Sequence, residues 1–291
     1  MPKICYVSKR FSQSSLEIIE MANRIIESYA AQGLSLTLRQ LYYQFVARDL
    51  IPNKQSEYKR LGSVINDARL AGMIDWEAIV DRTRNLQANS HWRSPRGILQ
   101  SAASSFYMDH WVDQEYRPEV WIEKDALVGV IEGICRELDV PYFSCRGYTS
   151  QSEMWSAAQR LLSYEQTPVV IHLGDHDPSG IDMSRDIEDR LNLFMNGRGL
   201  IFRRIALNSD QIDEYNPPPN PTKLTDSRAS GYIEIHGYES WELDALEPSV
   251  MRYLIDSEVG NFMDRGLFDE VEGRIEEHKQ RLYTIAEEYG G

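Results

Sequence analysis

The sequence predicts an α/β chain in which a small helical unit of winged-helix type precedes a parallel sheet flanked by helices. Three observations carry that expectation. Between Glu119 and Leu207, apolar strand-like runs alternate with amphipathic stretches of ten or more residues, the pattern of parallel βαβ units. The front of the chain instead strings three helical patterns together before a short strand-like stretch. The chain is 291 residues long and 42% hydrophobic, enough to build the core of one large domain or two modest ones.

Taken in order, "SSLEIIEMANRIIESYAAQG" has helical apolar spacing and is expected to stop at Gly33, a residue suited to the position after a helix. "SLTLRQLYYQFVARDL" is a second helix, capped by Ser35 or Thr37. "SEYKRLGSVINDARLAGM" is a third, opened by Ser56, and "IDWEAIVDRTR" reads as short strands around a basic turn, the wing. "SHWRSPRG" reads as a loop. The expected division is a DNA-binding unit over 1–100, a linker over 101–118 and the sheet domain with a C-terminal extension over 119–291. In the sheet domain "EVWIEK", "VPYFSCRG", "TPVVIHLGD" and "LIFRRIAL" are strands. "DALVGVIEGICREL", "SQSEMWSAAQRLLSYE" and "PSGIDMSRDIEDRLNLFM" are the helices between them. The proline cluster "YNPPPNPTK" breaks the alternation. A mixed segment and the charged amphipathic helix "VEGRIEEHKQRLYTIAEEY" follow.

The net charge of −14 is unevenly spread. Residues 1–120 hold 15 Lys and Arg against 13 Asp and Glu, whereas residues 121–291 hold 16 against 32. The basic residues of the front cluster, and Lys59, Arg60, Arg69, Arg82 and Arg84 are the candidate contacts to DNA phosphates, a solvated basic face being the competing reading. The acidity of the back half fits solubility or a site that takes cations. No apolar run approaches the roughly 18 residues of a membrane span, and no secretory pattern opens the sequence. Three scattered cysteines without metal-ligand spacing suit free thiols in a reducing cytoplasm.

The chemistry concentrates in "VVIHLGDHDPSGIDMSRD". A buried strand ends in Asp175 and Asp177, which alternate with His176 and so present two carboxylates to one side. The carboxyl ends of parallel strands are where open α/β sheets bind ligands. Two close carboxylates repel, and a hard divalent cation removes that cost. A helix cap beside a second solvated acid is the alternative. Glu123 ends a neighbouring predicted strand on the same edge, so three acids can converge, with an acid/base role open to Glu123.

The order strand-Glu, β-α-β-α, strand-Asp-x-Asp resembles the Toprim domain of topoisomerases, bacterial primases and related nucleases. That resemblance implies Mg2+ held by Glu123, Asp175 and Asp177. In "TLRQLYYQFVARDL" the apolar stripe Leu38, Leu41, Tyr42, Phe45 is expected to face the core, leaving Arg39 and Tyr43 on an adjacent face with Tyr43 free to react. The motif "LTLRQLYY" followed by "GDHDPSG" resembles the A subunit of type IIB topoisomerases (topoisomerase VI) and the meiotic strand-break proteins of the same family. The resemblance implies Tyr43 as nucleophile forming a 5′-phosphotyrosyl link to double-stranded DNA, Arg39 beside it, and a homodimer in which one chain's tyrosine meets the other's metal. It further implies a separate ATPase (B-type) subunit, although the N-terminal region through which the family meets it is short here. A nucleoid-associated protein of prokaryotic, phage or plasmid origin is the expected setting. Two other readings are a hydrolytic Toprim nuclease and a DNA-binding regulator without catalysis. Glu242 and Asp244 are weaker metal candidates, and Lys124 is expected at the surface.

Overall fold

A computed structural model describes residues 3–31, 34–80, 89–147 and 149–289. The chain is α/β, with a parallel four-stranded sheet flanked by helices. The strands are β1 (Tyr116–Ile122), β2 (Tyr142–Ser144), β3 (Thr167–Leu173) and β4 (Ile201–Ala206), ordered β2-β1-β3-β4. Both central strands are therefore early and middle in sequence, a layout compatible with the Toprim expectation. The register pairs Ile122 of β1 with Leu173 of β3, so Glu123 and Gly174 leave the sheet side by side.

Alternation along the central strands makes two apolar faces. Val120, Ile122, Val169, Ile171 and Leu173 pack against α5 (Val128–Glu137) and α10 (Pro248–Gly260). Trp121 and Val170 point the other way, onto α6 (Gln151–Leu162) and α7 (Pro178–Met195). A short 3-10 turn, Asp125–Leu127, leads from β1 into α5.

The N-terminal unit holds α1 (Gln13–Ala30), α2 (Leu38–Ala47) and α3 (Gln55–Leu70) around their own apolar cluster. Ser12 caps α1, and Thr37 caps α2 in a reciprocal box with Gln40. Ser56 does not open α3: the N-cap position falls on Lys54, which gives no side-chain cap, and Ser56 lies inside the first turn. Of the expected wing, the described residues show only an isolated bridge between Leu36 and Ile79. The rest of that segment, like the Gly33 stop, lies outside the described residues.

The segment read as loop and linker contains α4 (Pro95–Ser105), capped by Ser94 and begun by Pro95. It packs on α11 (Arg265–Tyr289), a partner about 170 positions away that local pattern does not reveal. After β4 come α8 (Ser209–Tyr215), a small antiparallel pair of β5 (Asn220–Pro221) and β6 (Glu239–Ser240), and α9 (Ala229–His236) between them. A second 3-10 turn, Leu243–Ala245, precedes α10 and packs against α2, and Ala245 joins the core of the N-terminal helices. No helix among the described residues is long and apolar enough to cross a membrane.

Candidate functional site

The rim formed by the carboxyl ends of β1 and β3 gathers the acids singled out in the sequence. Glu123 accepts the backbone N–H of Asp175 at 2.8 Å through Oε2, closing the two strand ends against each other. Asp177 is the N-cap of α7: its Oδ1 accepts from the Gly180 N–H at 2.7 Å and from the Ser179 hydroxyl at 2.8 Å. Pro178 occupies the first helical position, where its missing N–H costs nothing. His176 points away, pairing in backbone with Trp241 and accepting or donating at Tyr232 and Ser209. The helix start comes so close to the loop that a Cβ on Gly180 would lie 2.3 Å from the Asp175 carbonyl oxygen.

Lys124 is not a surface lysine. Its Nζ lies 2.9 Å from Asp175 Oδ2, 2.9 Å from Glu242 Oε2 and 2.7 Å from Asp244 Oδ2, because the 3-10 turn at 243–245 folds back over the rim. Those three carboxylates raise its pKa above the ordinary lysine value although burial acts in the opposite sense. Asp175 Oδ1 accepts the Leu243 N–H at 2.7 Å, so both oxygens of this buried carboxylate are engaged. Burial nevertheless pushes its pKa up to about 7, with the Glu123 charge adding to the shift and Lys124 opposing it. Burial also raises Glu123. Glu242 goes the other way: Lys124 and Arg39 overcome the effect of burial and hold it at about 2.

Arg204, from β4, completes the rim and was not legible as a site residue. Its guanidinium donates to the carbonyls of Gly174 (3.1 Å), Asp175 (2.7 Å), Gly180 (3.2 Å) and Leu207 (3.2 Å), and to the Ser184 hydroxyl. It fixes the backbone that carries both aspartates. Burial lowers its pKa to about 10 against the pull of Glu123, Asp175 and Asp177. An arginine within an alternating strand is the only sequence sign of this role.

The tyrosine side of the site departs from expectation. Tyr42 and Tyr43 are both buried, Tyr43 to 4% exposure, because α2 is covered on nearly every side, including by the 3-10 turn 243–245. Tyr43 is thus not free on an open face; its pKa is raised by burial first and then by the Glu242 charge, with Arg39 offsetting part. The Arg39 guanidinium sits 5.9 Å from the Tyr43 ring centre and pairs with Glu242 and, at 3.5 Å, with Asp244. Tyr43 still lines a cleft of about 280 Å³ with Arg39, Tyr42, Asn53, Gln55, Tyr58, Asn220 and Glu242. Glu242 therefore belongs at once to the tyrosine cleft and to the carboxylate rim.

Among the DNA-contact candidates, Lys59 and Arg60 are exposed on α3, Arg60 pairing with Glu57 at 3.2 Å. Arg69 instead donates to the Trp76 carbonyl at 2.7 Å and stacks over its ring at 4.7 Å, holding the segment that follows α3. Arg82 and Arg84 lie outside the described residues.

The residues suit a hard cation in donor type: all are carboxylate oxygens. Asp244 Oδ1 is buried without a hydrogen-bond partner, and Glu123 Oε1 and Asp177 Oδ2 carry no hydrogen bond among the described residues. Yet no three His, Cys, Asp or Glu side chains among the described residues stand together as a ready metal cage. The position nearest Asp175 is filled by the Lys124 ammonium. No protein-family model matches the chain, and no curated protein matches it significantly.

Proposed function

We propose that this chain is a Mg2+-dependent DNA-cleaving enzyme that breaks double-stranded DNA by tyrosine transesterification, as the resemblance to the type IIB topoisomerase A subunit implies. The observation that carries the reading is the continuity of Tyr43, Glu242, Lys124 and Asp175: a candidate nucleophile and a hard-donor rim share one bridging carboxylate. Arg39, beside the Tyr43 ring, is placed to hold a phosphate in the cleft. Tyr43 Oη attacks phosphorus and releases its proton to water in the cleft; the Oη–P bond forms as the P–O3′ bond breaks. The departing 3′ oxygen takes up a proton from water. Glu123, Asp175 and Asp177 are the residues that would hold magnesium, which would supply charge neutralisation at the scissile phosphate. Lys59 and Arg60 guide the duplex backbone. A homodimer and a separate ATPase subunit belong to this reading.

Hydrolysis by a Toprim-type nuclease is a second reading, favoured by the burial of Tyr43 and its raised pKa. Supercoiled plasmid incubated with protein and Mg2+, stopped with detergent with and without protease, separates the two. The first predicts a protein–DNA adduct lost in Tyr43→Phe. Free 5′-phosphate ends and undiminished cutting by Tyr43→Phe would establish the second and discard the first.

A further inference from the structure

We infer that Lys124 is a resident counter-ion that a divalent cation must displace from Asp175, and that this residue sets the cation affinity of the rim. The inference rests on the reading that Glu123, Asp175 and Asp177 take the cation. Three observations carry it. Three carboxylate oxygens lie within 2.9 Å of the Lys124 Nζ, those of Glu242 and Asp244 accepting hydrogen bonds and that of Asp175 forming an ion pair. Both oxygens of Asp175 are already engaged, Oδ2 by Lys124 and Oδ1 by the Leu243 N–H. And Asp244, 1% exposed, keeps Oδ1 buried and unpartnered, so the cluster holds more acceptor capacity than the lysine satisfies.

The physical consequence is competition for one site. Glu123, Asp175, Asp177, Glu242 and Asp244 place five carboxylates at one rim, facing Lys124, Arg39 and Arg204. Lys124 offsets one of these negative charges. A dication entering beside Asp175 meets a positive charge within a few ångströms, and the low-dielectric surroundings make that repulsion large. It enters when the ammonium withdraws from Asp175 while remaining with Glu242 and Asp244. The withdrawal leaves Lys124 between the rim and the tyrosine cleft, since Glu242 lines that cleft.

The test is Mn2+ binding to the DNA-free full chain, followed by electron paramagnetic resonance and calorimetry. Lys124→Met should bind Mn2+ at least about tenfold more tightly than wild type and unfold at a lower temperature without metal. Because that variant leaves buried carboxylates uncompensated, Lys124→Met combined with Asp244→Asn restores the charge balance and should show the same direction. Lys124→Arg should stay close to wild type. Equal or weaker Mn2+ affinity in both Met variants would overturn the inference, as would an absence of Mn2+ binding in wild type and variants alike. The adduct assay reports on Tyr43 separately, so loss of transesterification with a retained affinity change would remove the functional reading and leave the counter-ion role standing.

Discussion

Glu119 and Glu123 belong to the same stretch of chain, one inside β1 and one just past its end, and their surroundings are opposite. Glu119 is buried but fully answered: Arg160 donates to both its oxygens at 2.9 Å, Tyr164 at 2.7 Å and the Trp121 indole at 2.9 Å. Burial acts to raise its pKa, yet these partners hold it below the usual value. Glu123 has one backbone N–H, a neighbouring carboxylate pair and a raised pKa. The difference teaches that a buried acid with its own arginine is part of the frame. A half-buried acid with a single hydrogen bond, facing Asp177 as well as Lys124 and Arg204, is instead raised by its burial.

Exchanging each acid for its amide gives the largest contrast. Glu119→Gln breaks a buried ion pair and should cost about 3 kcal/mol in urea unfolding, whereas Glu123→Gln should stay within roughly 1 kcal/mol or gain stability. A loss at Glu123 as great as at Glu119 would erase the distinction. Next comes the backbone that shapes the rim. Gly180→Ala sets a methyl 2.3 Å from the Asp175 carbonyl and should cost about 1–3 kcal/mol. Gly273→Ala in α11, with nothing within 4 Å, should be neutral or stabilising. Equal effects at the two glycines would mean that the rim tolerates movement.

The pH dependence is the shallowest contrast, spread over several pH units. Asp175 is raised from 3.8 to about 7. Its contribution is therefore fully present below 3.8 and is lost as pH rises through 7. Glu119, held below its ordinary value, contributes above that value and loses its contribution as pH falls. The protein should accordingly lose stability between about pH 4 and pH 7, with a slope of at most ~1.4 kcal/mol per pH unit, and Asp175→Asn should flatten that slope. A slope that persists in Asp175→Asn would assign it elsewhere.

Much of this arrangement was legible in the sequence because it is local. The alternation of strands and helices, the cap of α7 at Asp177 with Pro178 behind it, and the Thr37 cap of α2 follow from neighbouring residues. The convergence of Glu123 with the aspartates follows from parallel strands ending on one edge. What escaped depends on contacts distant in sequence. Periodicity along α2 distinguishes one apolar stripe from its neighbours, but it cannot show that the turn at 243–245 buries the face that carries Tyr43. Lys124 looked solvated because its partners Glu242 and Asp244 stand well over a hundred positions away. The α4 helix carried its start signals, Ser94 and Pro95, but its apolar side is short and is completed only by α11.

The turn at Leu243–Ala245 touches both ends of the molecule's chemistry. Its first N–H grips Asp175, and its last side chain sits among the N-terminal helices. Three residues thus tie the N-terminal helices to an aspartate of the rim, so the position of one constrains the other.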